Sequence, residues 1–99
     1  MRIEWDQRKN AANRKKHGLS FEEASELFTS GADFLEIYDE AHSEVEDRFI
    51  CIGAIRLGVI VVVTAEPKEE VLRIISARAA TASEAALWSR HLKGKVHED

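Results

Sequence analysis

Three runs rich in β-branched residues, separated by very short turn sequences, constrain the fold of this chain more than any other feature. The runs cover residues 48–55, 59–64 and 71–76, and the turn sequences between them are 56–58 and 66–70. A parallel pair needs a crossover of about a dozen residues or more, so the pattern predicts three adjacent antiparallel strands. The middle run opens with five consecutive apolar residues, which indicates a central strand covered on both faces.

Capping signals before these strands predict two helices. Asp6 is suited to cap a helix that ends at His17, because Gly18 then permits the left-handed stop. Ser20 and Glu23 have the spacing of a capping box, in which each side chain bonds the other residue's backbone amide. A second helix is therefore predicted from Phe21 onward.

A second capping box, formed by Thr81 and Glu84, predicts a last helix that ends at Gly94. Short strands at residues 2–5 and 34–38 complete the element order β-α-α-β-β-β-β-α. The predicted fold class is α+β, a small antiparallel sheet with packed helices. Residues 1–94 are expected to form one domain, and 95–99 a loose tail.

Composition excludes several classes of protein. A chain of 99 residues with a single cysteine, Cys51, is not a disulfide-stapled scaffold. The longest apolar run, residues 59–63, is far below the roughly 20 residues that span a bilayer. The N-terminus lacks the apolar core of a signal peptide. These features predict a cytoplasmic domain without a membrane role. The histidines and Cys51 lack metal-site spacing, so no metal or cofactor is expected.

Charge is segregated along the chain. Residues 18–47 carry ten acids and no Lys or Arg, whereas residues 1–17 carry six basic groups and two acids. The net charge of −4 and a pI near 5.6 argue against a dedicated nucleic-acid binder but are compatible with a local basic cleft. The acidic block predicts a surface for a basic partner; the alternative is a solvated segment that keeps the chain soluble.

Two groups of polar residues are candidates for chemistry. Asn10, Asn13 and His17 share one face of the first predicted helix, beside Arg14 and Lys16. Such a stripe suits phosphate binding or proton donation. The alternative is that His17 only caps the helix C-terminus, where a cation interacts well with the helix dipole.

The second group lies on the predicted strands. Glu46 and Arg48 project on one face, as a base beside a guanidinium or as a plain surface ion pair. Arg73 interrupts an apolar strand, and Arg78 follows that strand just before a helix N-terminus. With Ser76 as a hydroxyl donor, the two arginines suit an anion. The alternative is a structural salt bridge plus one solvated arginine.

Taken together, several motifs stand in the order found in one known family. They are Trp5-Asp6, Asn13, Lys16-His17-Gly18, Ser20-Phe21-Glu22-Glu23-Ala24, Glu46-Asp47-Arg48, Gly53 and Arg73-Ile74-Ile75-Ser76-Ala77-Arg78. In combination they resemble the BrnT family of type II toxins over about residues 3–88. The resemblance implies a RelE-like fold and a ribonuclease that arrests growth by cutting RNA. It also implies a BrnA-type ribbon-helix-helix antitoxin; the complex would repress its own operon, with operator DNA contacted only through the antitoxin.

The implied chemistry is metal-free cleavage by attack of the RNA 2′-hydroxyl on the adjacent phosphorus. Stabilisation of the developing charge is expected from Arg48, Arg73 and Arg78, and proton transfer from Glu46 or His17, with base and acid left open. Expected RNA-binding residues are Arg14, Lys16 and Ser76. The three arginines are predicted to converge on one cleft, with His17 nearby.

Three positions depart from the family pattern, at Ala79, Ala85 and Trp88. Family members often carry a basic residue at the first two positions and a tyrosine at the third. Loss of positive charge weakens affinity for RNA phosphates. The alternative function is therefore a non-catalytic or weakened toxin-like module that acts in transcriptional regulation only through its antitoxin.

Overall fold

The computed structural model describes residues 1–96, with side chains described through residue 94. Its elements are β1 (Arg2–Glu4), α1 (Gln7–His17), α2 (Phe21–Ala24), α3 (Glu26–Thr29), β2 (Leu35–Tyr38), a 3-10 turn (Glu40–His42), β3 (Asp47–Ile55), β4 (Gly58–Lys68), β5 (Val71–Ala79) and α4 (Ala82–Val96). The five strands form one sheet in the order β1-β5-β4-β3-β2. This confirms the α+β class and the antiparallel arrangement of β3, β4 and β5. At one edge, β1 adds a parallel pair with β5.

Both faces of the sheet are covered, as the apolar β4 run predicts. On the face called here the α2 face, Phe21, Ala24 and Leu27 pack against sheet residues that include Val62. On the opposite α4 face, a smaller cluster joins Trp88 to Val61 and neighbouring strand residues. Because strand side chains alternate between faces, a residue's position in its strand decides which layer it joins.

Local capping follows the sequence predictions. The Asp6 carboxylate accepts backbone bonds at the start of α1, and Gly18 ends that helix at φ 72°. Ser20 and Glu23 form the full capping box of α2. Helix α2 ends at Ser25, whose hydroxyl donates to the Glu22 carbonyl at 2.6 Å, a local bond that competes with regular helix hydrogen bonding. The single second helix of the sequence prediction is thus two short helices.

Two strands run further than predicted. The β4 strand continues through Pro67 to Lys68, and the turn is confined to residues 69–70. Pro67 fits because the β4–β5 register is irregular between Ala65 and Lys68, where a residue without an N–H is tolerated. The β5 strand continues to Ala79 rather than ending at residue 76, so Arg78 lies within the strand and not after it.

The last helix also exceeds its predicted end. It passes through Gly94 and reaches Val96, since a glycine costs only about 1 kcal/mol inside an exposed helix. The predicted tail 95–99 is therefore helical over its first two residues, and 97–99 lie outside the described residues. Gly53 is constrained instead by packing: a Cβ there would lie 2.5 Å from Leu27 Cδ1 and 2.9 Å from Phe34 Cβ.

Asn13 protects the outer edge of β5, where β1 no longer pairs. Strand β1 covers only Val71–Arg73. Further along, the Asn13 amide donates to the Ala77 carbonyl at 2.8 Å and accepts from the Ala77 amide at 3.1 Å. The side chain thus continues the hydrogen-bond ladder in place of a strand and fastens α1 to the sheet.

Candidate functional site

Arg48 and Arg73 lie in one row across the α4 face of the sheet. In the strand register each of them pairs with Ala65 of β4, and Glu4 of β1 pairs with Arg73. Arg48 alternates with Ile50 and so shares the α4 face. The two arginine backbones are two strand spacings apart, about 10 Å. Both side chains can therefore reach one phosphate over the small Ala65.

The two arginines differ in their partners. The Arg73 guanidinium contacts Glu4 at 3.1 Å and Glu46 at 3.8 Å. Within residues 1–96, the Arg48 side chain makes no ion pair or side-chain hydrogen bond, although it is partly buried. An unpaired guanidinium can bind an anion, and a carboxylate beside it can accept a proton from that ligand. Glu46, Arg48 and Arg73, around Ala65, are called here the open end of the sheet.

An open hollow of about 510 Å³ lies at this end. Its lining residues are Ala41, His42, Glu44, Val45, Glu46 and Arg48. Ser43 holds the lining loop against β3: its hydroxyl donates to the Asp39 carbonyl at 2.6 Å and accepts from the Arg48 amide at 3.0 Å. The loop is therefore braced at the strand that carries Arg48.

Arg78 occupies a different part of the same face. It pairs in register with Val61, four residues along β4 from Ala65, or about 13 Å. Its guanidinium donates two hydrogen bonds to Glu84, at 2.7 and 2.8 Å. Glu84 also accepts from the Thr81 amide at 2.9 Å, completing the capping box of α4. Arg78, Thr81 and Glu84 are called here the α4 end of the sheet.

The charges at the α4 end are tightly balanced. The Arg78 hydrogen bonds, assisted by the Thr81 amide, lower the pKa of the Glu84 carboxyl to about 2. The same carboxylate raises the pKa of Arg78. This pair joins β5 to α4. It is a structural salt bridge, the alternative that the sequence left open for one of the two arginines, Arg73 and Arg78.

His17 lies apart from the open end. It borders a shallow depression with Ile60 and Ala79 and does not line the hollow. A neighbouring groove between α1 and β5 is lined by Lys9, Lys16, His17 and Ser76, among others. The structure thus brings His17, Lys16 and Ser76 together, while Arg14 lines a separate depression with Lys15 and Glu23.

The asparagines of the α1 stripe are structural. Asn10 donates to Glu22 at 2.7 Å and accepts from the Phe21 amide at 2.8 Å. Asn13 binds the Leu19 carbonyl as well as Ala77. Both side chains are buried and fully engaged in joining α1 to α2 and β5.

The side chains of Trp88 and Cys51 are also structural. Trp88 is buried and stacks on His91, so its ring is unavailable to a base. Burial raises the pKa of the Cys51 thiol to about 12, so this side chain is an unreactive core residue. Among the described residues, no group of three or more His, Cys, Asp or Glu side chains could hold a metal ion.

The acidic block does not form one repulsive surface. Its acids with a hydrogen bond or ion pair inside the described chain are Glu22, Glu23, Glu26, Asp33, Asp39, Glu46 and Asp47. Glu36 is different, because partial burial and the nearby Glu66 raise its pKa. Glu36, Asp47 and Glu66, with the half-exposed Tyr38, lie on the α2 face and are called here the acidic patch.

Sequence reasoning missed one pair of residues at the hollow. The Asp39 carboxylate lies 2.9 Å from Nδ1 of His42. The i, i+3 spacing was the only available signal, and it has meaning only in the 3-10 turn that the structure shows. No helix of the described residues is long and apolar enough to cross a membrane.

Comparison with known proteins identifies relatives of this chain. The family model described as "Ribonuclease toxin, BrnT, of type II toxin-antitoxin system" matches residues 5–84. Among solved structures, the crystal structure of the Brucella abortus ribonuclease toxin BrnT is similar, with a TM-score of 0.61 and 30% sequence identity. The match covers 82% of this chain and 97% of that one. A comparison with curated protein sequences gave no match.

Proposed function

The chain belongs to the BrnT family of type II ribonuclease toxins, and we propose that it cleaves RNA without a metal ion at the open end of the sheet. The observation that carries this proposal is the unpaired guanidinium of Arg48 in a hollow beside Glu46. Arg73 stands across Ala65 from Arg48 and supplies the second positive charge. Two guanidiniums directed at one phosphate stabilise the charge that develops on its oxygens in the transition state.

In the proposed reaction, the ribose 2′ oxygen bonds to the adjacent phosphorus and the bond from phosphorus to the 5′ oxygen breaks. Glu46 accepts the 2′-hydroxyl proton, a role suited to a carboxylate that lines the hollow beside Arg48. The products are a 2′,3′-cyclic phosphate and a 5′-hydroxyl. His17 lines the groove between α1 and β5 and not the hollow, so its proposed role becomes RNA binding.

The rest of the strand is proposed to follow the basic groove between α1 and β5. Lys16, His17 and Ser76 line this groove and suit phosphates flanking the cleavage site. Arg14 extends the same positive helix at its outer side. Arg78, a sequence candidate for charge stabilisation, is instead proposed to hold Glu84 at the α4 end, because its charge is balanced there.

A type II toxin implies an antitoxin, and we propose a BrnA-type ribbon-helix-helix partner in the cytoplasm. The complex is proposed to repress its own operon, with DNA contacted only by the antitoxin. The acidic patch suits a basic segment of that partner, because Glu36, Asp47 and Glu66 share one face around Tyr38. Co-purification with the neighbouring gene product tests the pairing, and the association rate is expected to fall as salt rises.

A cleavage assay tests the catalytic proposal. RNA and its 2′-O-methyl counterpart are incubated with the purified chain in the presence of EDTA. Only the RNA is expected to yield fragments ending in cyclic phosphate. Glu46→Gln should lose cleavage, whereas Glu69→Gln, at the exposed β4–β5 turn, should retain it. Intact RNA together with tight antitoxin binding and unaffected growth would instead favour the non-catalytic binding module.

A further inference from the structure

At the open end Glu46 is assigned the role of base, and His17 lines the groove between α1 and β5 instead of the hollow, so the proton donor is still to be assigned. We propose that His42 is the general acid of this cleavage and that Asp39 is its positioning residue. This inference rests on the proposed ribonuclease function. It assigns a role to a pair of residues that the sequence motifs did not include.

The geometry fixes which ring nitrogen faces the substrate. Nδ1 of His42 lies 2.9 Å from Oδ2 of Asp39, so Nδ1–H donates a hydrogen bond that the carboxylate accepts. Nε2 makes no hydrogen bond to another described residue. The imidazole side chain is 67% exposed and lines the hollow, whereas the Asp39 side chain is only 18% exposed. The buried partner thus orients the ring, and the free nitrogen is left for a ligand.

The pair is rigidly connected to the arginine that would hold the phosphate. The Asp39 backbone amide donates to the Arg48 carbonyl at 2.8 Å, and the His42 amide donates to the Asp39 carbonyl at 3.2 Å. Ser43 adds its two bonds, one to Asp39 and one to the Arg48 amide. The backbone carbonyl and the backbone amide of Arg48 are therefore both hydrogen-bonded to residues 39–43. Such bracing keeps an acid in a constant position relative to the phosphate.

The roles of acid and base follow from the chemistry of the two side chains. A carboxylate is a proton acceptor, so Glu46, which lines the hollow, takes the proton of the 2′-hydroxyl. Imidazole is the side chain that carries and releases a proton near neutral pH. The general acid is the imidazolium form, which carries a hydrogen on each ring nitrogen. As the bond from phosphorus to the 5′ oxygen breaks, Nε2–H of His42 gives its proton to that oxygen, and Nδ1–H stays hydrogen-bonded to Asp39. One proton leaves the substrate and one returns, so the step balances.

The chain offers a matched control for this pair. His91 and Asp33 also form a histidine–aspartate contact, at 2.8 Å. That histidine stacks on Trp88 of α4 and does not line the hollow. Removing His91 deletes the same chemistry outside the open end. A general effect of losing a surface histidine–aspartate pair would appear in both variants.

The test compares His42→Ala, Asp39→Asn and His91→Ala on two RNA substrates, one natural and one with sulfur in place of the 5′ leaving oxygen. A thiolate leaves without protonation, so it needs no general acid. We expect His42→Ala to slow cleavage of natural RNA by about 10²–10⁴-fold. On the sulfur substrate, the same variant should cleave at nearly the wild-type rate. Asp39→Asn should slow cleavage of natural RNA less than His42→Ala does, and it too should cleave the sulfur substrate at nearly the wild-type rate. The double variant Asp39→Asn/His42→Ala should cleave natural RNA no more slowly than His42→Ala alone. His91→Ala should match wild type.

Two results would overturn the assignment: wild-type cleavage of natural RNA by His42→Ala, or an equal loss on both substrates. The second result would mean that His42 acts elsewhere than on the leaving group. Circular dichroism of each variant confirms that its fold is intact, which the exposed position of His42 favours. A wild-type chain that cleaves neither substrate would remove the proposed ribonuclease function itself, a failure distinct from that of His42 alone.

Discussion

Arginines at the two ends of the sheet share one face but differ in what surrounds them. At the α4 end, Arg78 donates two short hydrogen bonds to Glu84, which also caps a helix. At the open end, Arg73 is shared by two carboxylates and Arg48 has no partner within the described chain. Residue type alone would give all three arginines one role. The difference in pairing assigns stability to one end and anion binding to the other.

The largest expected effect comes from Arg48→Ala. Because this guanidinium makes no bond to lose, the free energy of unfolding should change by less than about 0.5 kcal/mol. RNA cleavage should fall by about 10²–10³-fold, as when a donor to transition-state charge is removed. Single-turnover assays and urea denaturation measure the two quantities. Arg90→Ala, which removes an exposed arginine of α4, is the control for net charge.

Asn13→Ala should have the largest effect on stability. It removes three hydrogen bonds and leaves backbone groups of Leu19 and Ala77 unsatisfied in a buried place. A loss of about 3 kcal/mol in the free energy of unfolding is expected, measured in urea. Lys15→Ala on the exposed side of α1 should be nearly neutral. An unchanged urea midpoint for Asn13→Ala would show that β5 does not need this edge protection.

Arg78→Ala should lower stability by about 1 kcal/mol, because the pair with Glu84 is partly exposed and screened by solvent. Cleavage should fall far less than in Arg48→Ala. Glu84→Gln separates the two possible roles, since it frees Arg78 while weakening the same corner of the fold. If Arg78→Ala abolished cleavage without affecting stability, the contrast between the two ends would be reversed.

The smallest effect concerns acid. The pKa of Glu84 is lowered from 4.5 to about 2 in the folded chain, so its contribution to stability is present above pH 4.5. That contribution is lost as the pH falls from 4.5 toward 2. Screening limits it to about 1 kcal/mol. Thermal denaturation at several pH values should show a shallower decline across this window for Glu84→Gln than for wild type.

Sequence reasoning predicted what depends on neighbouring residues. The caps at Asp6, Ser20 and Thr81 act within three residues, and their spacing is visible in the chain. The turns between β-branched runs likewise predicted the antiparallel core. The motif of strand β5 marked arginines that do lie on one face. Arg78 lies about 13 Å along β4 from the row of Arg48 and Arg73, and neither Arg78 nor His17 lines the hollow.

The unpredicted features depend on distant contacts. Asn13 bonds Ala77, 64 positions away, so no local pattern marks it as an edge cap. The partners of Arg73 come from β1 and from the loop before β3, and only the assembled register brings them together. The role of His42 depends on a 3-10 turn braced by Ser43. Chemistry of this kind is read from a structure, because spacing alone leaves it open.

Substrate phosphate is proposed to bind at the open end of the sheet. Nuclear magnetic resonance tests this directly, by titrating the labelled chain with a 2′-O-methyl dinucleotide, which carries one phosphate and resists cleavage. The largest amide shifts are expected within residues 42–48 and at Arg73, and they should vanish in Arg48→Ala. Shifts confined to Ser76, Arg78 and helix α1, with residues 42–48 unmoved, would contradict it.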